Sequence, residues 1–343
     1  MNSDPTGFDR PYTVTGIFKQ KTPANIIVLL VFGVLIKLPV FLYPHVPQSR
    51  PSDGILFEWI LRFLAPWGKN APLLYPVLAF SFIFLQSVLL TGIINNQRMM
   101  SRANYFPGMA YMLITSLLPE WNYFSAPLLV NGILLLILSR LFKVYNQPQA
   151  LGSVFNTGLA LGLAAFVFFP SITFIIWILL ALAIMRPFRL NEWIVCILGV
   201  TTPFYFYGVY LFVTDQWSWN AIWPYFSFRL PDIRQTIWLA GSVFLLAVPF
   251  LAGGYYVQDN LRRMLIQVRK GWSLLLLYLL AALFIPFVNS TDNLENWIMA
   301  AVPMAAFHAC TYLYASFRIL PLLLFWLTVA FILGYQYYFQ GWG

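Results

Sequence analysis

Two carboxylates stand where this chain could do chemistry. Asp53 sits in a Ser52-Asp53-Gly54 turn just after a long apolar run, and Glu120 occupies Leu117-Leu118-Pro119-Glu120-Trp121-Asn122, a very short turn between two others. A carboxylate held at that depth is partly desolvated and gains proton affinity, which suits general-base work, or it can ligate a divalent ion. Cations accompany the pair. Lys37 lies within the first apolar run, where a charge at the bilayer centre costs about 2.5–3.5 kcal/mol. Its stem can snorkel to the near edge of the run, or its ammonium can meet a lipid phosphate beside Asp53. Arg62 and Lys69, in the loop that follows, could grip the same kind of phosphate. Most other acids are accounted for by solvation and pairing, as with Asp232 beside Arg229 or Arg234, and Asp292 or Glu295 at a helix amino terminus.

Other catalytic signatures are missing from the sequence. It has no Gly-x-x-x-x-Gly-Lys-Ser/Thr loop, no His-Glu-x-x-His, no Cys-x-x-Cys and no Gly-x-Ser-x-Gly elbow. His45 and His308 are its only histidines, too few for a histidine-built metal site and poor supply for a hydrolytic triad. His45 reads as a solvated interface residue and His308 as a packed one. Cys196 and Cys310 both fall in apolar runs and form no disulfide framework.

Elements that could hold such a site follow from composition. Of 343 residues, 60% are hydrophobic and only 9% charged, whereas a soluble domain carries about 25% charged residues. Eleven apolar runs predict an all-α polytopic membrane protein: 24–42, 72–94, 105–118, 124–142, 151–169, 171–185, 193–213, 236–257, 272–288, 296–316 and 319–338. Roughly 20 helical residues cross a bilayer, and only helices or closed barrels satisfy their backbone there. With the amino terminus inside, the inner segments hold Arg10, Lys19, Lys21, Arg98, Arg102, Arg140, Lys143, Arg186, Arg189, Arg262, Arg263, Arg269, Lys270 and Arg318. The outer loops hold only Arg50, Arg62, Lys69, Arg229 and Arg234. Positive loops resist translocation, so this bias predicts a cytoplasmic amino terminus and a periplasmic carboxyl terminus. The net charge of +9 then reports topology and contact with lipid headgroups, not nucleic acid.

The expected organisation is a short cytosolic segment, 1–22, and one helical membrane domain, 23–343, whose first run acts as a retained signal anchor. Two outer loops are long. In loop 43–71, Gly54–Leu64 is too short to span and places Glu58 and Arg62 four apart, which predicts a helix lying in the interface, with Ser52 or Asp53 as its cap. Loop 214–235 carries Trp217, Trp219, Trp223, Tyr225, Phe226 and Phe228, an interfacial anchor or a substrate-facing rim. Gly158 and Gly162 have the small-xxx-small spacing of closely packed helices.

This layout resembles the GT-C superfamily, polytopic glycosyltransferases that use polyprenyl-phosphate-linked sugars. The points of likeness are the inside amino terminus, an Asp and an interfacial helix in the first outer loop, and an acidic turn between the third and fourth runs. A further one is Phe155-Asn156-Thr157-Gly158-Leu159-Ala160-Leu161-Gly162-Leu163, continuing through Pro170 to Arg186-Pro187-Phe188-Arg189. The resemblance covers about 35–210. It implies that Asp53 matches the catalytic acid of loop one and Glu120 the acidic position of loop two, although loop one has a single Asp-Gly where the family has an Asp-Glu pair. Residues Gly16-Ile17-Phe18-Lys19-Gln20-Lys21-Thr22-Pro23-Ala24-Asn25 also resemble the entry to the first span of a family of bacterial multi-pass inner-membrane proteins with no settled activity.

The expected function is therefore transfer of a sugar from a polyprenyl-phosphate carrier to an acceptor at the periplasmic face. Asp53 would be the base, Glu120 would hold a divalent ion or orient the acceptor, and Lys37, Arg62 or Lys69 would steady the leaving phosphate. No cofactor is expected beyond that ion. Two rivals stay open. One is a non-enzymatic scaffold that docks envelope partners. The other is a transporter or lipid flippase, although Pro39, Pro203, Pro249, Pro286 and Pro303 do not pair into repeated halves.

Overall fold

Every one of the eleven apolar runs is helical in the computed structural model, which describes residues 14–20, 22–145, 147–219, 228–231, 236–288, 294–315 and 319–341. Trp223, Tyr225, Phe226, Asp232, Arg234, Asp292 and most of segment 1–22 lie outside the described residues. The helices are α1 (Val14–Ile17), α2 (Ala24–Ile36), α3 (Leu38–Leu42), α4 (Ile55–Asn70), α5 (Leu74–Asn96), α6 (Phe106–Ser116) and α7 (Ala126–Val144). They continue as α8 (Leu151–Val167), α9 (Phe174–Met185), α10 (Leu190–Val213), α11 (Ile237–Asn260), α12 (Ile266–Phe284), α13 (Ala301–Tyr314) and α14 (Ile319–Gly341). Tight 3₁₀ turns at Pro119–Asn122, Phe169–Thr173 and Leu294–Ala300 join several of them. No strand occurs among the described residues. Only two isolated bridges do, Asp53 with Phe168 and Phe228 with Val288.

Length separates the helices into two groups. Among the described residues, seven helical segments are long and apolar enough to cross a membrane. The runs at α2, α6, α8 and α9 are shorter, and the breaks after α2 and α8 have a local cause. α2 stops at Lys37, and the chain restarts with Pro39, whose missing N–H suits the start of α3 rather than a continuous helix. Pro170 likewise starts the turn between α8 and α9. α6 has 11 residues, about 16 Å of helix, and every one of them is buried. It is a core helix wrapped by protein, chiefly by α5 and α13.

A polar ladder crosses that core. The Tyr111 hydroxyl donates to Gln86 Oε1 at 2.5 Å, and Asn131 Nδ2 donates to Tyr111 at 2.8 Å. Tyr278 donates to Asn131 Oδ1 at 3.2 Å, while Gln86 Nε2 closes the set on the Leu128 carbonyl at 2.8 Å. Four helices are thereby keyed in one register, because each group would otherwise be buried without a partner. At another junction, Arg186 donates to the Val144 carbonyl at 2.9 Å and pairs with Glu192 at 3.1 Å. It thus ties the end of α7 to the start of α10.

A close helix crossing uses Gly158, one of the two glycines singled out by spacing, together with Gly199. A Cβ on Gly158 would lie 2.2 Å from the Cys196 carbonyl oxygen, and one on Gly199 would lie 2.4 Å from that of Phe155. The backbones of α8 and α10 touch, so nothing larger than hydrogen fits between them. Gly158→Ala is expected to force the pair apart and cost about 1–3 kcal/mol, seen as an earlier unfolding midpoint in detergent. An unchanged midpoint would show that the pair separates freely.

Candidate functional site

α4 carries three different faces, and the division explains its position. Leu56, Trp59, Phe63 and Trp67 recur at helical spacing and are exposed, while Phe57 and Gly68 are buried against the bundle. A third face, Glu58, Leu61, Arg62, Ala65 and Lys69, lines an open groove of about 590 Å³ whose other walls include Val46, Pro47 and Tyr75. An exposed aromatic stripe beside a charged stripe is the signature of a helix lying in the membrane interface. The helix begins where expected and runs on to Asn70 through Pro66. Arg62 bonds Glu58 at 3.5 Å, and Ser49 bonds the other Glu58 oxygen at 3.3 Å, which ties loop and helix across the groove.

The turn before α4 places Asp53. The Arg50 N–H donates to Asp53 Oδ2 at 2.9 Å, and the Asp53 N–H donates back to the Arg50 carbonyl at 3.0 Å. This is the local closure that an aspartate makes easily. Neither Ser52 nor Asp53 caps α4; the N-cap is Gly54, without a side-chain bond. Gly54 instead donates its N–H to the Val167 carbonyl at 2.9 Å. A Cβ there would fall 2.0 Å from the Phe166 carbonyl oxygen, so only glycine lets the turn seat on the end of α8.

Around Asp53 a charged cluster forms on one guanidinium. Arg50 binds Glu295 through both terminal nitrogens, at 2.5 and 2.9 Å. Glu295 belongs to the 294–300 turn, which Trp121 grips by an indole N–H bond to the Leu294 carbonyl at 2.8 Å. That indole neighbours Glu120 in sequence and so brings the 119–122 turn into the cluster. Glu120 has one carboxylate oxygen buried without a hydrogen bond. Tyr123 stacks on His45, ring centroids 4.2 Å apart. Lys37 holds the same turn from beneath: its ammonium donates to Thr115 Oγ1 at 3.1 Å and to Asn122 Oδ1.

Electrostatics follow from burial. Desolvation pushes the Asp53 carboxyl up to about 6, against the Arg50 N–H and guanidinium, with Glu295 and Glu58 adding to the rise. Burial also raises Glu120, opposed by Arg50. The Tyr123 hydroxyl is pushed up to about 12 by burial and then by Glu120 and Glu295. His45 is lowered by burial and by Arg50. Asp53, Glu120 and Glu295 thus share one cation, Arg50. Among the described residues no three His, Cys, Asp or Glu side chains converge as a metal-binding group would. The charge that opposes the rise at Glu120 comes from Arg50. The cavity between Asp53, His45, Tyr123 and Glu295 holds about 10 Å³, close to the least that admits one water. Pro47 lines both this cavity and the groove.

No protein-family model matches the chain, and no curated protein does. Among solved structures it is similar to the crystal structure of ArnT from Cupriavidus metallidurans bound to undecaprenyl phosphate. That match has 12% identity and a TM-score of 0.44, over 84% of this chain and 58% of the other. The chain therefore spans less than two thirds of that protein's length. Likeness at this level does not carry an activity across.

Set against expectation, the site residues divide. Asp53 and Glu120 are joined through Arg50 and the 294–300 turn, and Arg62 and Lys69 line one groove beside them. Lys37 neither snorkels nor turns toward the surface where a lipid phosphate would lie. Its side chain is 1% exposed and bonded to Thr115 and Asn122, because α2 ends at it and turns the stem inward. Sequence reasoning misses Arg50 and Glu295, which look like ordinary loop charges. Glu295 lies in the first turn of its helical segment and pairs with a cation as expected, but it is buried instead of solvated; its place among only 11 acidic residues is the one available signal of more.

Proposed function

We propose that this chain is a GT-C-like transferase of a bacterial inner membrane, moving a sugar from a polyprenyl-phosphate carrier to an acceptor at the periplasmic face. The observation that supports this reading is a half-buried carboxyl, Asp53, raised to about 6, in a cavity that shares Pro47 with a groove of apolar floor and two cations on its rim. The polyprenyl chain would lie along the exposed Trp59, Phe63 and Trp67 stripe, with its phosphate between Arg62 and Lys69. Asp53 takes the proton from an acceptor hydroxyl as its oxygen bonds the anomeric carbon. The bond from that carbon to the phosphate oxygen breaks, and the departing phosphate carries its charge to the two cations, where fixed positive groups help most. Arg50 orients Asp53 and balances Glu120 and Glu295.

Binding tests the groove independently of the unknown sugar. Detergent-solubilised protein should retain undecaprenyl phosphate, and Arg62→Gln and Lys69→Gln should each weaken retention about 5-fold, the effect of one surface cation on an anionic lipid. Equal retention by wild type and both variants would remove the groove from the proposal. A second reading has one observation in its favour. The cavity at Asp53 is nearly filled and its acids are engaged by Arg50, as a structural staple of a scaffold protein would be.

A further inference from the structure

A second cavity, of about 270 Å³, lies at the opposite end of α5 from the groove. Tyr75 at the start of this helix lines the groove, and Arg98, just past its end, lines the cavity. Twenty-three helical residues separate them by about 35 Å, the thickness of a hydrocarbon core. The two sites therefore face opposite membrane surfaces. The cavity joins three connections, since Ser101 donates its N–H to the Tyr314 hydroxyl at 2.8 Å and Gln267 bonds Gln97 at 3.0 Å. Arg98 and Arg263 line it over a floor that includes Met99, Met264 and Val268. Among the described residues, no carboxylate forms an ion pair with either arginine.

The backbone at Arg98 is the second observation. Its φ is +50°, the left-handed conformation. Its N–H bonds the Asn95 carbonyl at 3.1 Å and that of Met99 bonds the Ile94 carbonyl at 3.1 Å. This is the helix-ending motif in which the left-handed position is usually glycine, because a Cβ there costs energy. An arginine at this position bears strain where glycine would not, and it lies at the lining of the cavity, a pattern found where function holds a residue in place.

We infer that this cavity is a phosphate-binding site, with Arg98 and Arg263 gripping the phosphate and the methionine-lined floor receiving ester-linked apolar groups. The ligand that fits both features is an anionic phospholipid of the leaflet on that face; a soluble phosphate shares the first feature alone.

The full-length protein in phosphatidylcholine nanodiscs containing phosphatidylglycerol provides the test, with native mass spectrometry reading lipid retained after ejection. Wild type should retain phosphatidylglycerol over phosphatidylcholine, and Arg98→Gly and Arg263→Gln should each reduce that preference about 5-fold. Arg98→Gly should also unfold no earlier than wild type, since glycine relieves the left-handed residue. Release of the lipid by millimolar inorganic phosphate would assign the site to soluble phosphate. Retention in its presence assigns it to lipid. Unchanged preference in both variants, or equal retention of phosphatidylcholine by wild type, would overturn the site. None of these outcomes depends on what Asp53 does.

Discussion

Asp53→Asn is expected to leave the protein folded and to lower sugar transfer by about 10²–10⁴-fold, the usual contribution of a positioned base. The substitution keeps an oxygen to accept the Arg50 N–H bond that now reaches Asp53 at 2.9 Å, so the turn should survive it. Only the ability to take a proton is lost. The pH profile makes the same point from another side. Burial holds the Asp53 carboxyl at about 6, so on the proposed mechanism it would be protonated and idle below that pH. Transfer should rise as pH passes through about 6 and level off above it. The Asp53→Asn variant should have no such limb, and Arg50→Lys should retain one. If Asp53→Asn transfers at the wild-type rate, or fully replaces the wild-type gene in cells, the catalytic proposal ends and the scaffold reading remains.

Arg50→Ala should have the largest effect on stability. Glu295 keeps 6% of its side-chain surface and Arg50 26%, so removing the guanidinium strands a carboxylate with almost no water. Breaking such a pair from one side costs about 3–5 kcal/mol. The lower end is expected here because Arg50 is partly wet. The acids that share Arg50 lose their counter-charge together, and the midpoint of Asp53 should move upward from about 6, since Arg50 is what opposes its rise. Glu295→Gln in the Arg50→Ala background should recover much of the stability, because no stranded charge remains. Thermal unfolding in detergent reads each of these. Wild-type unfolding of Arg50→Ala would mean that solvent reaches Glu295 freely.

Much of the architecture is legible because a membrane makes sequence speak plainly. Apolar runs have to be helices, and a short run with Glu58 and Arg62 on one face has to lie flat. The Gly158 spacing announces a close crossing, and α8 and α10 do touch there. Lys37 misleads because its distance from the edge of the run suggests escape to water. Its inward turn depends on Pro39 breaking the helix beside it and on Thr115 and Asn122 standing below. Arg50 and Glu295 are 245 residues apart, and no local pattern links positions so distant. Asp53 and Glu120 can be placed on the same face from the sequence, but their common dependence on Arg50 cannot. The length of α6 also depends on tertiary wrapping, which periodicity does not encode.

The seating of Gly54 on the last turn of α8 has a mechanical consequence. The aspartate rides on a rod whose far length is clasped backbone to backbone by its neighbour, so sliding that rod by one residue would carry the carboxyl about 1.5 Å. A displacement of that size is enough to undo an aligned proton transfer. Substitutions in the buried seam between α8 and α10, many residues from any charged group, are therefore expected to shift the Asp53 carboxyl from a distance. Suppressors of a weakened Asp53 turn should map to that same buried seam.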